Sequence, residues 1–401
     1  MLRLPICRAL FARLSAALVI GLLILAGASQ PQADQNDAVL TLILADSLAP
    51  IHVTPGADGA NHLVYELVVT NITGGLVTLR AVDVFAQDGT TVLATLDADA
   101  IVSRFERDGR RGNNSDALEG GRYGVLFMHV AIPADQPVPT ALRHRLIVDL
   151  EGMGEGIEIP VHAMPIAPLD IPVLGAPFIG ENYIAADGCC DSVRHIRALL
   201  PINAQLRLAQ RFAIDWEQVD DAGRLVNGDL SVPENYVIYG KPALAVADGE
   251  VVATLDGLPD QIPGDLPEGL TFAESDGNHV VLKIAEGVYV LYAHFAPGSV
   301  AVKVGDHVTR GEVLGLVGNS GNTSAPHLHL HVMDGPSALD ANGLPYVFES
   351  FLLTAINNEG TEAFDLAETT GAPVPLDAIT PPVLYQSLLV MDQWLVDWVA
   401  P

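Results

Sequence analysis

Apolar and polar positions alternate with period two through much of this chain. Leu63, Tyr65, Leu67 and Val69 alternate with His62, Glu66 and Thr70, the pattern of a strand with one buried face. Residues 39–44, 123–130 and 145–150 read as further strands, and Asn71, Gly74-Gly75 and Asp88-Gly89 supply turn signals between them. Short strands at this spacing predict an immunoglobulin-like β-sandwich over residues 37–165. Residues 166–182, with Pro168, Pro172, Pro177 and Gly180, read as a linker. A second strand-rich region, residues 183–401, follows. It holds a strand within 241–254 that turns at Asp248-Gly249, and a hairpin, 279–284 with 288–294, around Glu286-Gly287. Helical periodicity is scarce. The apolar tail 384–399, with Trp394 and Trp398, should dock on this region, although its pattern does not choose between strand and helix. The expected class is therefore mainly β.

The first 28 residues stand apart from that pattern. Arg3, Arg8 and Arg13 precede an apolar run over 14–26, and Ala26-Gly27-Ala28 has the small-x-small form of a cleavage site. This reads as a signal peptide, with Ser29 the first mature residue, and predicts export to a periplasmic or extracellular place. The run is shorter than the roughly 20 residues a spanning helix needs, and no later stretch suits a membrane span. Of three cysteines, Cys7 would leave with the signal, and the adjacent Cys189 and Cys190 are expected as two thiols in a loop. The net charge is −29, with lysine only at 241, 283 and 303. With 20 Lys and Arg against 49 Asp and Glu, so acidic a chain repels phosphates, which argues against nucleic acid as a partner.

The chemistry concentrates late in the chain. If residues 327–332 form a strand, His327, His329 and His331 share one face, while Leu328, Leu330 and Val332 share the other. Same-face neighbours lie about 6.6 Å apart, a spacing that lets two imidazoles bracket one small site. Burying three imidazoles without a metal or a charge partner would be costly. A catalytic zinc site takes three His, Asp or Glu ligands and leaves one position open. His294, at the end of the hairpin, and His195 upstream add imidazoles. Asp215, set among Phe212, Ala213, Ile214 and Trp216, adds a carboxylate whose burial needs compensation. His129, His144 and His162 stand singly in the first half and suggest no site there.

Several segments together resemble the lysostaphin-type, or LytM-like, zinc metallopeptidase family. They are residues 239–249, Tyr292-Ala293-His294-Phe295, Val304-Gly305-Asp306, and Gly318-Asn319-Ser320-Gly321-Asn322 leading into His327-Leu328-His329. The resemblance spans residues 236–349 and implies a compact antiparallel β domain with a Zn2+ ion in a groove. It assigns the metal to His195, Asp215 and His329, proton transfer to His327, and support of the transition state to His294. One position departs from the family pattern. Arg211 stands four residues before Asp215, where the family has its first ligand histidine, so that role falls to His195, with Cys189 or Cys190 as alternative donors. His331 is extra to the pattern. The implied activity is hydrolysis of peptide bonds in peptidoglycan stem peptides or cross-links. Two other readings stay open: a wall-associated regulator that activates a separate amidase, and a peptidase acting on non-wall proteins. The sandwich would serve as spacer, anchor or inhibitory cover.

Overall fold

A computed structural model describes residues 41–398 apart from Ser192 and Asp265. The signal peptide expected over residues 1–28 lies outside the described residues. The fold is mainly β, as the alternating pattern predicts.

The first half is a sandwich of two antiparallel sheets. Its main strands are β1 (Ile43–Ser47), β2 (Ala60–Asn71), β3 (Val77–Ala86), β4 (Val92–Leu96), β5 (Phe105–Arg107), β6 (Tyr123–Pro133), β7 (Ala141–Leu150) and β8 (Gly154–Pro165). One sheet runs β1–β2–β6–β5 and the other β8–β7–β3–β4. In immunoglobulin lettering these orders are A-B-E-D and G-F-C-C′. Leu63, Tyr65 and Leu67 of β2 meet Leu79, Val82 and Val84 of β3 in one apolar core between the sheets. Helix α1 (Ala98–Arg104) closes one end, with the Asp97 carboxylate accepting from the Ala100 N–H as its cap.

The second half is built on one long sheet. Its strands are β9 (Gly180–Ala186), β10 (Ile214–Gln218), β11 (Gly249–Leu255), β12 (Asn278–Ala285), β13 (Val288–Phe295), β14 (Leu328–Met333), β15 (Val347–Ile356), β16 (Asp377–Leu388) and β17 (Trp394–Trp398). The order is β15–β17–β9–β10–β14–β13–β12–β11, with β16 also paired to β15. The Pro/Gly-rich stretch read as a linker is partly strand: Val173–Leu174 pairs with Val347–Phe348, and β9 begins at Gly180. The apolar tail is strand as well. β17 sits between β15 and β9, where Trp398 packs edge-on against Trp216 and Phe348. Among the described residues the second half adds one α-helix, α2 (Thr361–Thr370).

The two halves meet across the outer face of β2 and β6. The alternation in β2 predicts one buried face, yet His62 and Glu66 on its polar side are 2% and 1% exposed. That side is covered by the second half rather than by water. Glu66 takes a two-pronged hydrogen bond from Arg211 at 2.9 and 2.6 Å, and Arg211 also donates to the Gly343 carbonyl at 2.9 Å. Arg211 therefore holds the two halves together in the place where the resemblance would put a metal ligand.

The cysteines differ from the expected pair of thiols. Cys189 and Cys190 are joined by a disulfide and are buried in the same junction. The segment around them is held from both sides. Arg104 of α1 pairs with Asp191, Arg111 donates to the Val193 carbonyl, and Arg197 donates to the Ser103 carbonyl. On the other side the Gly188 N–H donates to Asp392 at 2.9 Å.

Candidate metal centre

The register of the long sheet assembles the site. β10 and β14 run antiparallel with Asp215 directly opposite His329, and β13 sets Ala293 against the other side of His329. Period two then places Asp215, His329 and His331 on one face of the sheet. Trp216, Leu328, Leu330 and Val332 fill the opposite face and are 0% exposed, so the strands that carry the polar groups are anchored from behind.

Two further histidines arrive from loops with defined geometry. His294 ends β13 in the left-handed region at φ +67°. Such a conformation is costly for a residue with a side chain and persists only where its surroundings fix it. Here its N–H donates to the Asp276 carbonyl at 3.1 Å, and its own carbonyl accepts from the Gly318 N–H at 3.0 Å. Its Nδ1–H donates to the Ser320 carbonyl at 2.7 Å. Ser320 can lie there because Gly321 has no side chain: a Cβ at Gly321 would fall 2.3 Å from the Gly277 nitrogen. His195 opens a short 3-10 turn, His195–Arg197, on the segment held at the junction.

Three imidazole nitrogens converge on the Asp215 carboxylate. His329 Nδ1 lies 2.8 Å and His327 Nε2 3.4 Å from Oδ1, and His195 Nε2 lies 3.2 Å from Oδ2. The far nitrogen of each ring is tied down. His195 Nδ1–H donates to the Asp187 carbonyl and His327 Nδ1–H to the Ala325 carbonyl, both at 2.8 Å. His329 Nε2 shares a 2.8 Å hydrogen bond with His331 Nδ1. A ring that donates from Nδ1 presents the Nε2 lone pair when neutral, so His195 and His327 aim acceptor nitrogens at the carboxylate. Lone pairs pointed at an anion are satisfied by protons or by a cation. The ligand atoms of His195, Asp215 and His329 lie within 4.8 Å of one another, and so do those of His294, His327 and His329.

The electrostatics follow from that arrangement. Burial alone would raise the Asp215 pKa, but the His195 and His327 charges and hydrogen bonds from His195 and His329 hold it well below the usual carboxylate range. Burial also opposes charge on His195, yet Asp215 and then Asp187 push its pKa up to about 9. His294 and His331 shift the other way, well below an ordinary imidazole, mainly through burial and then through neighbouring histidines.

The five site residues expected from sequence are thus brought together, and His331 backs His329 as a hydrogen-bond partner. Cys190 groups with His62 and His129 instead of with Asp215. Sequence reasoning missed Glu217. It lies two residues after Asp215 on the same face, 4% exposed, and shares a hydrogen bond with Glu368 of α2. Burial raises both carboxyls, Glu368 to about 7. Period-two spacing from Asp215 is the signal that could have found it.

Comparison with known proteins locates part of this site in a family. Residues 236–341 match peptidase family M23, which bears out the lysostaphin and LytM resemblance. The segment contains His294, His327 and His329, while His195 and Asp215 precede it. The cell division protein DipM of Caulobacter vibrioides is 36% identical over 101 residues, 25% of this chain and 14% of that protein. The DD-carboxypeptidase/endopeptidase Mpg of Neisseria meningitidis serogroup B is 45% identical over 53 residues, 13% of this chain and 12% of that protein. The chain thus spans under one sixth of the length of these curated relatives. Among solved structures, the catalytic domain of lysostaphin from Staphylococcus simulans is 22% identical, covering 41% of this chain and 88% of that one at a TM-score of 0.23. A zinc-containing peptidase from Vibrio cholerae is 13% identical, covering 73% and 85%, at a TM-score of 0.21.

Proposed function

Taking residues 236–341 as a peptidase family M23 domain, we propose that the chain is an exported zinc-dependent endopeptidase. Its ion is held by His195, Asp215 and His329, and its substrate is the peptide part of bacterial cell wall. The observation that carries this reading is the convergence of imidazole nitrogens on Asp215, with the far side of each ring tied to a fixed partner. Metal-ligating histidines are oriented in this way, by a second hydrogen bond that sets tautomer and ring direction. Two imidazoles and one carboxylate are also the donor set of a catalytic zinc site. Zinc, when bound, supplies Lewis acidity: it lowers the pKa of water toward neutrality and polarises a carbonyl.

The chain's own groups supply the remaining steps. Ligation through His329 Nδ1 requires its proton on Nε2, and His331 Nδ1 is placed to receive that N–H. His195 must give up the proton that Asp215 favours, so ion uptake releases protons at neutral pH. His327 keeps its Nε2 lone pair because Nδ1–H is committed to Ala325, and it takes the proton from the attacking water as general base. His294 is likewise committed through Nδ1 to Ser320, so its Nε2 supports the developing oxyanion only when a proton from solvent occupies it, a state that burial of the ring opposes. The two rings are 4.8 Å apart between centroids, close enough to serve one reacting group in turn.

The test is digestion of purified peptidoglycan by the mature chain, with released fragments identified by mass spectrometry. Fragments should vanish with a chelator and return with zinc. A folded, zinc-loaded protein that released no stem-peptide fragment would overturn the wall substrate. Hydrolysis indifferent to chelation would overturn the metal mechanism.

A further inference from the structure

The second cluster of imidazoles sits away from Asp215, at the junction of the two halves. His62 of β2 and His129 of β6 lie on the outer face of the sandwich, the face that the second half covers. Their rings stack at 5.1 Å between centroids, and His62 Nδ1 lies 2.9 Å from His129 Nε2. The Cys190 sulfur and one nitrogen of each ring lie within 4.8 Å of one another. His62 and Cys190 are buried, at 2% and 6% exposure. The remaining nitrogen of His62, Nε2, is 3.0 Å from the carboxylate of Asp58.

We propose that His62, His129 and Cys190 form a second metal site, closed while the Cys189–Cys190 disulfide is intact and opened by its reduction. Thiolate and imidazole donors together select a soft or borderline ion such as Zn2+. Asp58 behind His62 makes the carboxylate–histidine arrangement that orients a ligating ring and raises its basicity. The donor gap of 2.9 Å is of the same size as the 2.8 and 3.2 Å gaps around Asp215. Asp58, with its side chain 39% exposed, marks the solvent side from which an ion would enter.

The redox step balances with a dithiol reductant. Two electrons and two protons pass to the cysteine pair, giving two thiols, while the dithiol becomes a disulfide. On binding the ion Cys190 loses its thiol proton to solvent, and Cys189 stays a thiol. In the oxidised protein the Cys190 sulfur is spent in the S–S bond, which leaves two imidazoles, too few donors for tight binding. The occupied site would link the sandwich to the segment that carries His195, five residues further on.

Cobalt separates this site from the one around Asp215, which contains no sulfur donor. The full mature chain is loaded with Co2+ before and after reduction by a phosphine. The oxidised protein should bind without a sulfur-to-cobalt charge-transfer band in the near ultraviolet. The reduced protein should bind one further equivalent and show the band. Cys189→Ser leaves Cys190 without its disulfide partner and should show the band with no reductant present. His129→Gln should lose the band and the added equivalent. Reduced protein without the band, or a band that survives both His62→Gln and His129→Gln, would overturn the proposal. Loss of the sulfur-free equivalent alone would count against the peptidase site and leave this one standing.

Discussion

Two histidine clusters in this molecule look alike as residue lists and differ in what faces their rings. Around Asp215 the rings surround a carboxylate, and His195 is pushed up to about 9. At the junction two rings face each other, and burial followed by the His62 charge pulls His129 down to about 4. The central anion outweighs burial at His195 but not at His329, which stays below an ordinary imidazole, while at the junction burial and the facing ring act together. In the first cluster Asp215 and His329 stand opposite each other in one sheet, and the segments that carry His195, His294 and His327 bring the other rings to them. The second borrows donors from two halves of the chain, so its geometry belongs to their docking.

Removing the central anion should produce the largest difference between the clusters. Asp215→Ala is expected to abolish ion binding at the first site and reduce hydrolysis to background. Metal analysis beside a peptidoglycan assay reads both, and near-normal zinc content in that variant would end the ligand assignment. His327→Ala should cost about 10²- to 10⁴-fold in turnover, the usual range for a general base. The bound ion should remain at full stoichiometry, and joint loss of ion and turnover would recast His327 as a ligand. His331→Ala removes the partner of His329 and should weaken zinc affinity by about 10- to 100-fold. Competition with a chromophoric chelator measures that loss, and unchanged affinity would reduce His331 to a packing residue.

The least direct effect is the pH dependence of the metal-free protein, and it has two signs. His129 titrates lower in the folded chain, about 4 against 6.5, so its contribution is present above 6.5 and is lost as pH falls toward 4. His195 titrates higher, about 9 against 6.5, so its contribution is present below 6.5 and is lost as pH rises through 9. Each slope is at most about 1.4 kcal/mol per pH unit. Urea unfolding across both windows should show His129→Gln flattening the acid side only and His195→Gln the alkaline side only.

Much of this was legible in the sequence because period two is a local signal. The alternation in residues 63–69 and the hairpin around Glu286-Gly287 predict strands that the structure contains. His327, His329 and His331 announce a shared face for the same reason. What stayed hidden depends on which surface covers which. The polar side of β2 reads as solvent-facing, since His62 and Glu66 look like ordinary exterior residues. Their burial comes from a second half that begins a hundred residues later. His129 reads as a single histidine because its partners are 67 residues before it and 61 after it. The tail around Trp394 and Trp398 lacks a period long enough to decide, and pairing with β9 and β15 decides it.

The ion pair of Glu66 with Arg211 has a consequence for descent. Each member is nearly sealed from water, at 1% and 4% exposure, and breaking such a pair from one side leaves an uncompensated charge worth roughly 3–5 kcal/mol. Neither residue can therefore drift alone. A change to histidine at 211 would have to come with neutralisation of position 66, and loss of the acid with loss of the arginine. The two halves are in this sense a single heritable unit. Their sequences should keep time with each other at these positions, even where the surfaces around them diverge freely.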